Sequence, residues 1–108
     1  MANADELAGL EPMHPGELLR EEILPALELD ATGLADNLGV QSGAVAEILN
    51  ARAPITPDMA LRLAKLCGNS AAFWLNLQRD YDLGRLAPAM ASELAEIPTL
   101  REANEKRQ

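Results

Sequence analysis

The side chains able to do covalent or metal chemistry are few and scattered. His14 is the only histidine and Cys67 the only cysteine. A His/Cys metal cluster or a Cys–His dyad would therefore have to be assembled from single residues far apart in sequence. His14 stands at a helix start, where an imidazole more often caps or packs than reacts. Cys67 lies on an apolar helical face, where a thiol behaves as a small hydrophobe. Glu21 and Glu22 are adjacent, so on a helix they point about 100° apart and do not converge on one bond. No Gly-rich loop of the phosphate-binding pattern is present. These residues point away from an enzyme, a metal site, an organic cofactor or a small-molecule substrate. What remains is recognition by shape, hydrogen bonding and charge.

The elements that would position such contacts are helices. Residues 31–50, ATGLADNLGVQSGAVAEILN, spell a short helix, a glycine turn and a second short helix. Leu34, Ala35 and Leu38 share one face of the first at the spacing a 3.6-residue period demands. Gly39 can take the positive φ that ends it tightly. Val45, Ile48 and Leu49 give the second helix its buried stripe, and the small Ala35 lets the two backbones approach. Two helices joined in this way form a helix-turn-helix, whose second helix enters the DNA major groove. That second helix carries no Lys or Arg, an unusual choice for a surface that must meet phosphates.

The rest of the chain reads as all-α. His14-Pro15-Gly16-Glu17 looks like a helix start with proline at the first helical position, and Leu18, Leu19, Ile23 and Leu24 supply an apolar side until Pro25 stops the helix. Asp30 is a good N-cap for the helix at Ala31. Thr56-Pro57-Asp58 starts a fourth helix with Met59, Ala60, Leu63, Leu66 and Cys67 inward, and Gly68 ends it. Ser70 caps a fifth helix that the pattern carries to about Leu83, before Gly84 and Pro88. A short helix around 89–96 precedes an end expected to fray. The resulting division is a flexible segment at 1–12, a helix-turn-helix domain at 13–85 and a tail at 86–108. A length of 108 residues with 48% hydrophobic content allows one core, and 3% aromatics mean that it is aliphatic. No apolar run is long enough to span a membrane. With no secretory signal apparent and a lone cysteine, a reducing cytoplasm fits best.

Charge is unevenly spread. Residues 1–30 hold Asp5, Glu6, Glu11, Glu17, Glu21, Glu22, Glu28 and Asp30 against Arg20 alone, a net of −7 out of −8 for the chain. Two readings stay open: a solvated helix face, or a surface that receives a basic partner.

Three blocks, HPGELLREEIL at 14–24, ILNARAPITPDMALRLAKLCG at 48–68 and SAAFWLNLQRDYDL at 70–83, resemble the HigA family of bacterial antitoxins, virulence-associated-protein-I-like members of the XRE-type helix-turn-helix group. The resemblance covers about residues 13–85. It implies a five-helix repressor-like domain that forms a homodimer, neutralises a small basic HigB-type mRNA-cleaving toxin and represses its own operon by binding a palindromic operator. Family recognition helices resemble SRQTVSRILNG. Here the aligned stretch runs from Gln41 to Ala51, and Arg and Gln positions have become Ser, Gly and Glu. On this alignment the base readers are Gln41, suited to adenine, Ser42, and Ala44 toward a thymine methyl, while Glu47 repels phosphates unless it accepts from a cytosine amine. Arg52 and the helix N-terminus capped by Thr56 are the phosphate contacts, with Arg62, Lys65 and Arg79 more distant. Arg52 can equally be a solvated loop residue. Glu17, Glu21, Glu22 and Glu28 become the expected toxin-binding acids. All three aromatics fall within residues 73–81, so Phe73, Trp74, Leu77 and Tyr81 are the expected dimer surface. Two alternatives remain: a toxin-binding module with weak or lost DNA binding, and a stand-alone regulator without a toxin.

Overall fold

Asp30, Thr56 and Ser70 each start a helix by capping it with a side-chain oxygen, and the computed structural model, which describes residues 12–101, contains helices and no strand among them. Apart from Pro12, the N-terminal segment expected to be flexible lies outside the described residues, with Asp5, Glu6 and Glu11. So does the end of the tail expected to fray.

The first rod, α1, is built in three pieces: an α-helical turn at Pro15–Leu18, a π-helical turn at Leu19–Ile23, and a second α-helical turn at Leu24–Leu27. Pro25 was expected to stop it, and it does not. A proline ring inside a regular α-helix collides with the carbonyl four residues back and leaves that carbonyl without a donor. Here the turn before it is widened, with the Leu24 N–H bonding to the Leu19 carbonyl five residues back. The rod then closes on Glu28 in the left-handed region (φ 56°), where the Leu29 N–H reaches the Leu24 carbonyl at 3.0 Å.

Helix α2 spans Ala31–Leu38. Asp30 caps it by accepting from the Gly33 N–H at 2.7 Å, and Gly39 ends it at φ 72°. Helix α3 spans Ser42–Leu49, and α4 spans Pro57–Cys67 between the Thr56 cap and Gly68 at φ 75°. Each side-chain cap contributes about 1 kcal/mol to its helix. The core is the cluster the helical periods single out: Leu19 and Leu24 of α1, Leu34, Ala35 and Leu38 of α2, Val45, Ile48 and Leu49 of α3, and Met59, Ala60 and Leu63 of α4. Ile55, before α4, and Trp74, in the helix after it, complete the core, and Trp74 is wholly buried with its indole N–H given to Asn69 Oδ1 at 2.9 Å.

Helix α5 runs from Ala71 to Ala89, past both residues expected to end it. An internal glycine costs only about 1 kcal/mol, and Gly84 has a reason to be there. A Cβ on it would lie 2.9 Å from Pro12 Cδ, so the missing side chain lets Pro12 rest against the helix. Pro88 falls in the last turn, where the helix is about to stop at Met90. A short α6, Ala91–Ala95, follows, and the domain boundary expected at residue 85 falls inside α5.

Candidate nucleic-acid interface

Helix α3 buries Val45, Ile48 and Leu49, leaves Ala46 half-buried and turns its other residues outward. Gln41, Ser42, Gly43, Ala44 and Glu47 are all exposed, as are Asn50, Ala51 and Arg52 just beyond it. Gln41 holds the N-cap position without capping by its side chain, so its amide stays available to another molecule. Around Gly43 there is open space. The structure therefore gathers Gln41, Ser42, Ala44 and Glu47 on one accessible helix and places Arg52 next to its C-terminal end.

The loop from α3 to α4 is held at three points. Ala51 takes φ 58°, and the Arg52 and Ala53 N–H groups both turn back to the Glu47 carbonyl, at 2.8 and 3.2 Å. Gln78 of α5 is buried, and its Oε1 accepts from the Ile55 N–H at 2.8 Å while its Nε2 donates to Asp82 Oδ1 at 3.0 Å. Thr56 Oγ1 accepts from the Met59 N–H at 3.2 Å and so caps α4, while its O–H remains a donor. The expected contribution of Thr56 to an anion is the helix end it caps. The Arg52 side chain makes no hydrogen bond or ion pair among the described residues, and the residue is exposed. Of the more distant cations, Arg62 is engaged: its Nε binds Asp58 at 2.6 Å and its Nη1 reaches the Leu38 carbonyl at 2.8 Å, tying α4 to the turn. Arg79 pairs with Asp80 at 2.9 Å. Only Arg52 and Lys65 of the expected cations stand unpaired among the described residues.

The same C-terminal end of α3 abuts α1. A Cβ on Gly16 would sit 1.8 Å from the Ile48 carbonyl oxygen, so the two backbones touch there. One turn later Arg20 Nη1 donates to the Leu49 carbonyl at 3.1 Å, while its Nε pairs with Glu21 at 3.3 Å. Glu17, Glu21, Glu22 and Glu28 are exposed, Glu28 at the strained C-cap of the rod. His14 caps α1: its Nδ1 accepts from the Gly16 N–H at 2.9 Å, and its ring stands edge-on to Tyr81 at 4.8 Å. Burial pulls its pKa below the ordinary value of 6.5, outweighing the opposing pull of the Ala53 carbonyl.

The residues expected to form a dimer surface are split. Trp74 lies inside the monomer core and no second chain can reach it, because its ring fills the space between α4, α5 and the helix-turn-helix. Leu77 packs on the same core, Tyr81 is half-buried on His14, and Phe73 is 41% exposed. A different stripe is open instead: Leu83 and Leu86 on α5, then Leu94 and Ile97. Their spacing is helical and was legible, but reading Gly84 and Pro88 as terminators hid it. Cys67 is half-buried and its thiol pKa is raised by burial. Among the described residues no His/Cys/Asp/Glu group could hold a metal, and no helix is long and apolar enough to cross a membrane.

No family model matches the chain, yet close relatives exist. Virulence-associated protein A of Dichelobacter nodosus is 38% identical over 89 residues, 82% of this chain and 87% of its own length. Antitoxin HigA-1 of Vibrio cholerae is 35% identical over 72 residues, 67% of this chain and 68% of its own. The solved structure of the Pseudomonas aeruginosa antitoxin HigA with the higBA promoter superposes with a TM-score of 0.77 at 38% identity, covering 82% of this chain and 98% of that one.

Proposed function

The chain belongs to the HigA family of helix-turn-helix antitoxins, and from that premise we propose that it binds the operator of its own operon through the outward face of α3 and neutralises a basic, mRNA-cleaving HigB-type toxin by direct contact. It acts by binding rather than by catalysis. The observation that carries the DNA half is the accessible face of α3, where Gln41, Ser42, Ala44 and Glu47 project from a helix whose other face is locked into the core. Gln41 and Ala44 are the base readers, Glu47 a selective acceptor, Arg52 the phosphate contact and the Thr56-capped end of α4 a second one.

A homodimer supplies two such helices, about 34–36 Å apart for consecutive major-groove half-sites. The support for its surface is the exposed apolar stripe of Leu83, Leu86, Leu94 and Ile97. For the toxin, Glu17, Glu21 and Glu22 on α1 and Glu28 at its end offer the charge complementary to a basic protein, acting mainly on association rate and specificity.

A second reading keeps toxin binding but loses most operator affinity. It is favoured by the charge around α3: no basic residue on the helix, Glu47 in its middle, and Arg62 and Arg79 already paired within the chain. Titrating a fluorescent duplex of the chain's own promoter at several salt concentrations, with and without the adjacent toxin, separates the two. Each neutralised phosphate contributes about 0.9 to the slope of log K against log salt, so Arg52 and Lys65 of two protomers give roughly −2 to −4. Sequence-specific binding with that shallow slope supports a working repressor. Toxin capture without sequence-specific DNA binding identifies the second reading.

A further inference from the structure

Apart from Glu17, the HPGE block at the start of α1 has no part in the function assigned so far, yet it holds the one imidazole of the chain in a buried joint. We propose that His14 is a positioning residue for the recognition helix, and that only its neutral form holds the conformation that binds DNA, so that protonating this single side chain weakens operator binding. This rests on the operator-binding reading above and specifies how that site is regulated.

The geometry fixes the protonation state. Nδ1 accepts a hydrogen bond from the Gly16 N–H at 2.9 Å, so in the folded chain that nitrogen carries a lone pair and the proton of the neutral ring sits on Nε2. The Ala53 carbonyl, in the loop that follows α3, is the backbone acceptor facing the ring. His14 is 95% buried, as its relative exposure of 5% states. Protonation would put an N–H on Nδ1 directly against the Gly16 N–H, removing the cap and setting a positive charge at the positive end of α1.

What moves with Gly16 is the recognition helix. Gly16 touches the Ile48 carbonyl with no room for a Cβ, and Arg20 holds the next carbonyl, Leu49, at 3.1 Å. The first turns of α1 and the last turn of α3 are therefore one mechanical unit. His14 sets its position against two further elements: the α3–α4 loop through Ala53, and α5 through the edge of Tyr81. Releasing the cap frees the C-terminal end of α3 to shift, and a displacement near 1 Å is enough to spoil hydrogen-bond geometry at a base edge. The charged groups that face the ring are Glu17 on its own helix and Asp82 and Arg85 on α5. The carboxylates favour the cation and the guanidinium opposes it, but burial is the dominant effect. The ionisable phenol of Tyr81 lies in edge contact with the ring.

Because His14 is the only histidine, its ring signal in a proton NMR titration of the full-length chain is unambiguous. We expect it to titrate below 6.5, with the backbone amides of residues 45–52 shifting along the same curve. Operator affinity, measured by anisotropy at fixed ionic strength, is expected to fall as the pH drops through that value. The limit is tenfold per protomer for each pH unit below it. Protonating the chain's carboxylates acts in the opposite direction, by reducing its repulsion from DNA, so the sign identifies the group. His14→Ala should bind more weakly at every pH. His14→Asn, which restores a cap acceptor without a titrating ring, should recover binding relative to His14→Ala and lose the fall at low pH. Superimposable pH profiles for the wild type and His14→Asn would overturn the proposal, as would α3 amides that stay still while the ring titrates. If no operator binding is found at any pH, the operator-binding reading fails, and the amide titration alone decides whether His14 positions α3.

Discussion

Replacing Gln78 with leucine should cost this protein about 2 kcal/mol, although Gln78 touches neither the outward face of α3 nor the apolar stripe. Its Oε1 is the partner of the Ile55 N–H, and both residues are buried. Leucine fills nearly the same space, so the packing change is small, but it accepts nothing. The Ile55 N–H is then left without a partner inside the protein, a loss worth about 1–3 kcal/mol. The second bond of Gln78, to Asp82, adds little, because Asp82 is exposed and recovers water. At roughly 4–8 °C per kcal/mol for a domain near this size, the midpoint of thermal unfolding followed by circular dichroism should fall by ~8 °C or more. Amide exchange at Ile55 should accelerate with it. Gln78→Glu distinguishes this cause from a generic core defect. The new carboxylate can still accept from Ile55, but it faces Asp82 across a 3.0 Å gap that a hydrogen bond now fills. Burial and the like charge raise its folded pKa above the usual ~4.3, so its penalty is present at neutral pH and relieved as the pH falls through that raised value. The deficit of Gln78→Leu should be the same at pH 7 and pH 5, whereas that of Gln78→Glu should shrink. A Gln78→Leu midpoint within about 2 °C of the wild type would refute the clamp.

Two further substitutions probe the recognition helix and the turn that follows it. Ala51 holds φ 58°, which costs an L-residue about 1–2 kcal/mol, and glycine escapes that cost while losing about 0.5–1 kcal/mol of backbone entropy on folding. Ala51→Gly should therefore stabilise the fold by roughly 0.5–1 kcal/mol in a urea melt. Glu47→Arg exchanges a repelling charge for an attracting one on the exposed face of α3, so it should tighten binding to many DNA sequences. It should also steepen the salt slope by about 0.9 per protomer in the anisotropy titration.

How far the sequence discloses this molecule depends on whether a residue signals locally or through what it meets. Asp30, Thr56 and Ser70 announce helix starts because a cap acts within three residues, and all three accept the N–H expected of them. Leu34, Ala35, Leu38, Val45 and Ile48 are buried because a 3.6-residue period needs no knowledge of the partner. Pro25 and Gly84 mislead for the opposite reason. Their local preferences are overruled by a widened turn and by Pro12 pressing against the helix, neither of which is visible in a window of a few residues. Trp74 illustrates a different gap: an aromatic on an apolar stripe belongs equally to a core or an interface until the packing around it is known. Gln78 and His14 gave no sign of their reach, since their partners lie at Ile55 and at Tyr81 and Ala53. Of the α3 face, the exposed positions were legible and the scarcity of free cations only partly so. It took the structure to see that Arg62 and Arg79 are already committed.

The π-turn of α1 also changes the phase of the helix. Leu19 and Leu24 are five residues apart, and in a straight α-helix that spacing would swing one of them about 140° away from the core. Closing one turn with five residues brings both inside, at 2% and 8% exposure. Arg20, Glu21 and Glu22, which lie between them, all remain exposed. The wide turn thus works as a one-residue insertion that keeps both leucines in the core and turns Arg20, Glu21 and Glu22 toward the surface. An acidic surface can gain a carboxylate there without any hydrophobic position being given up.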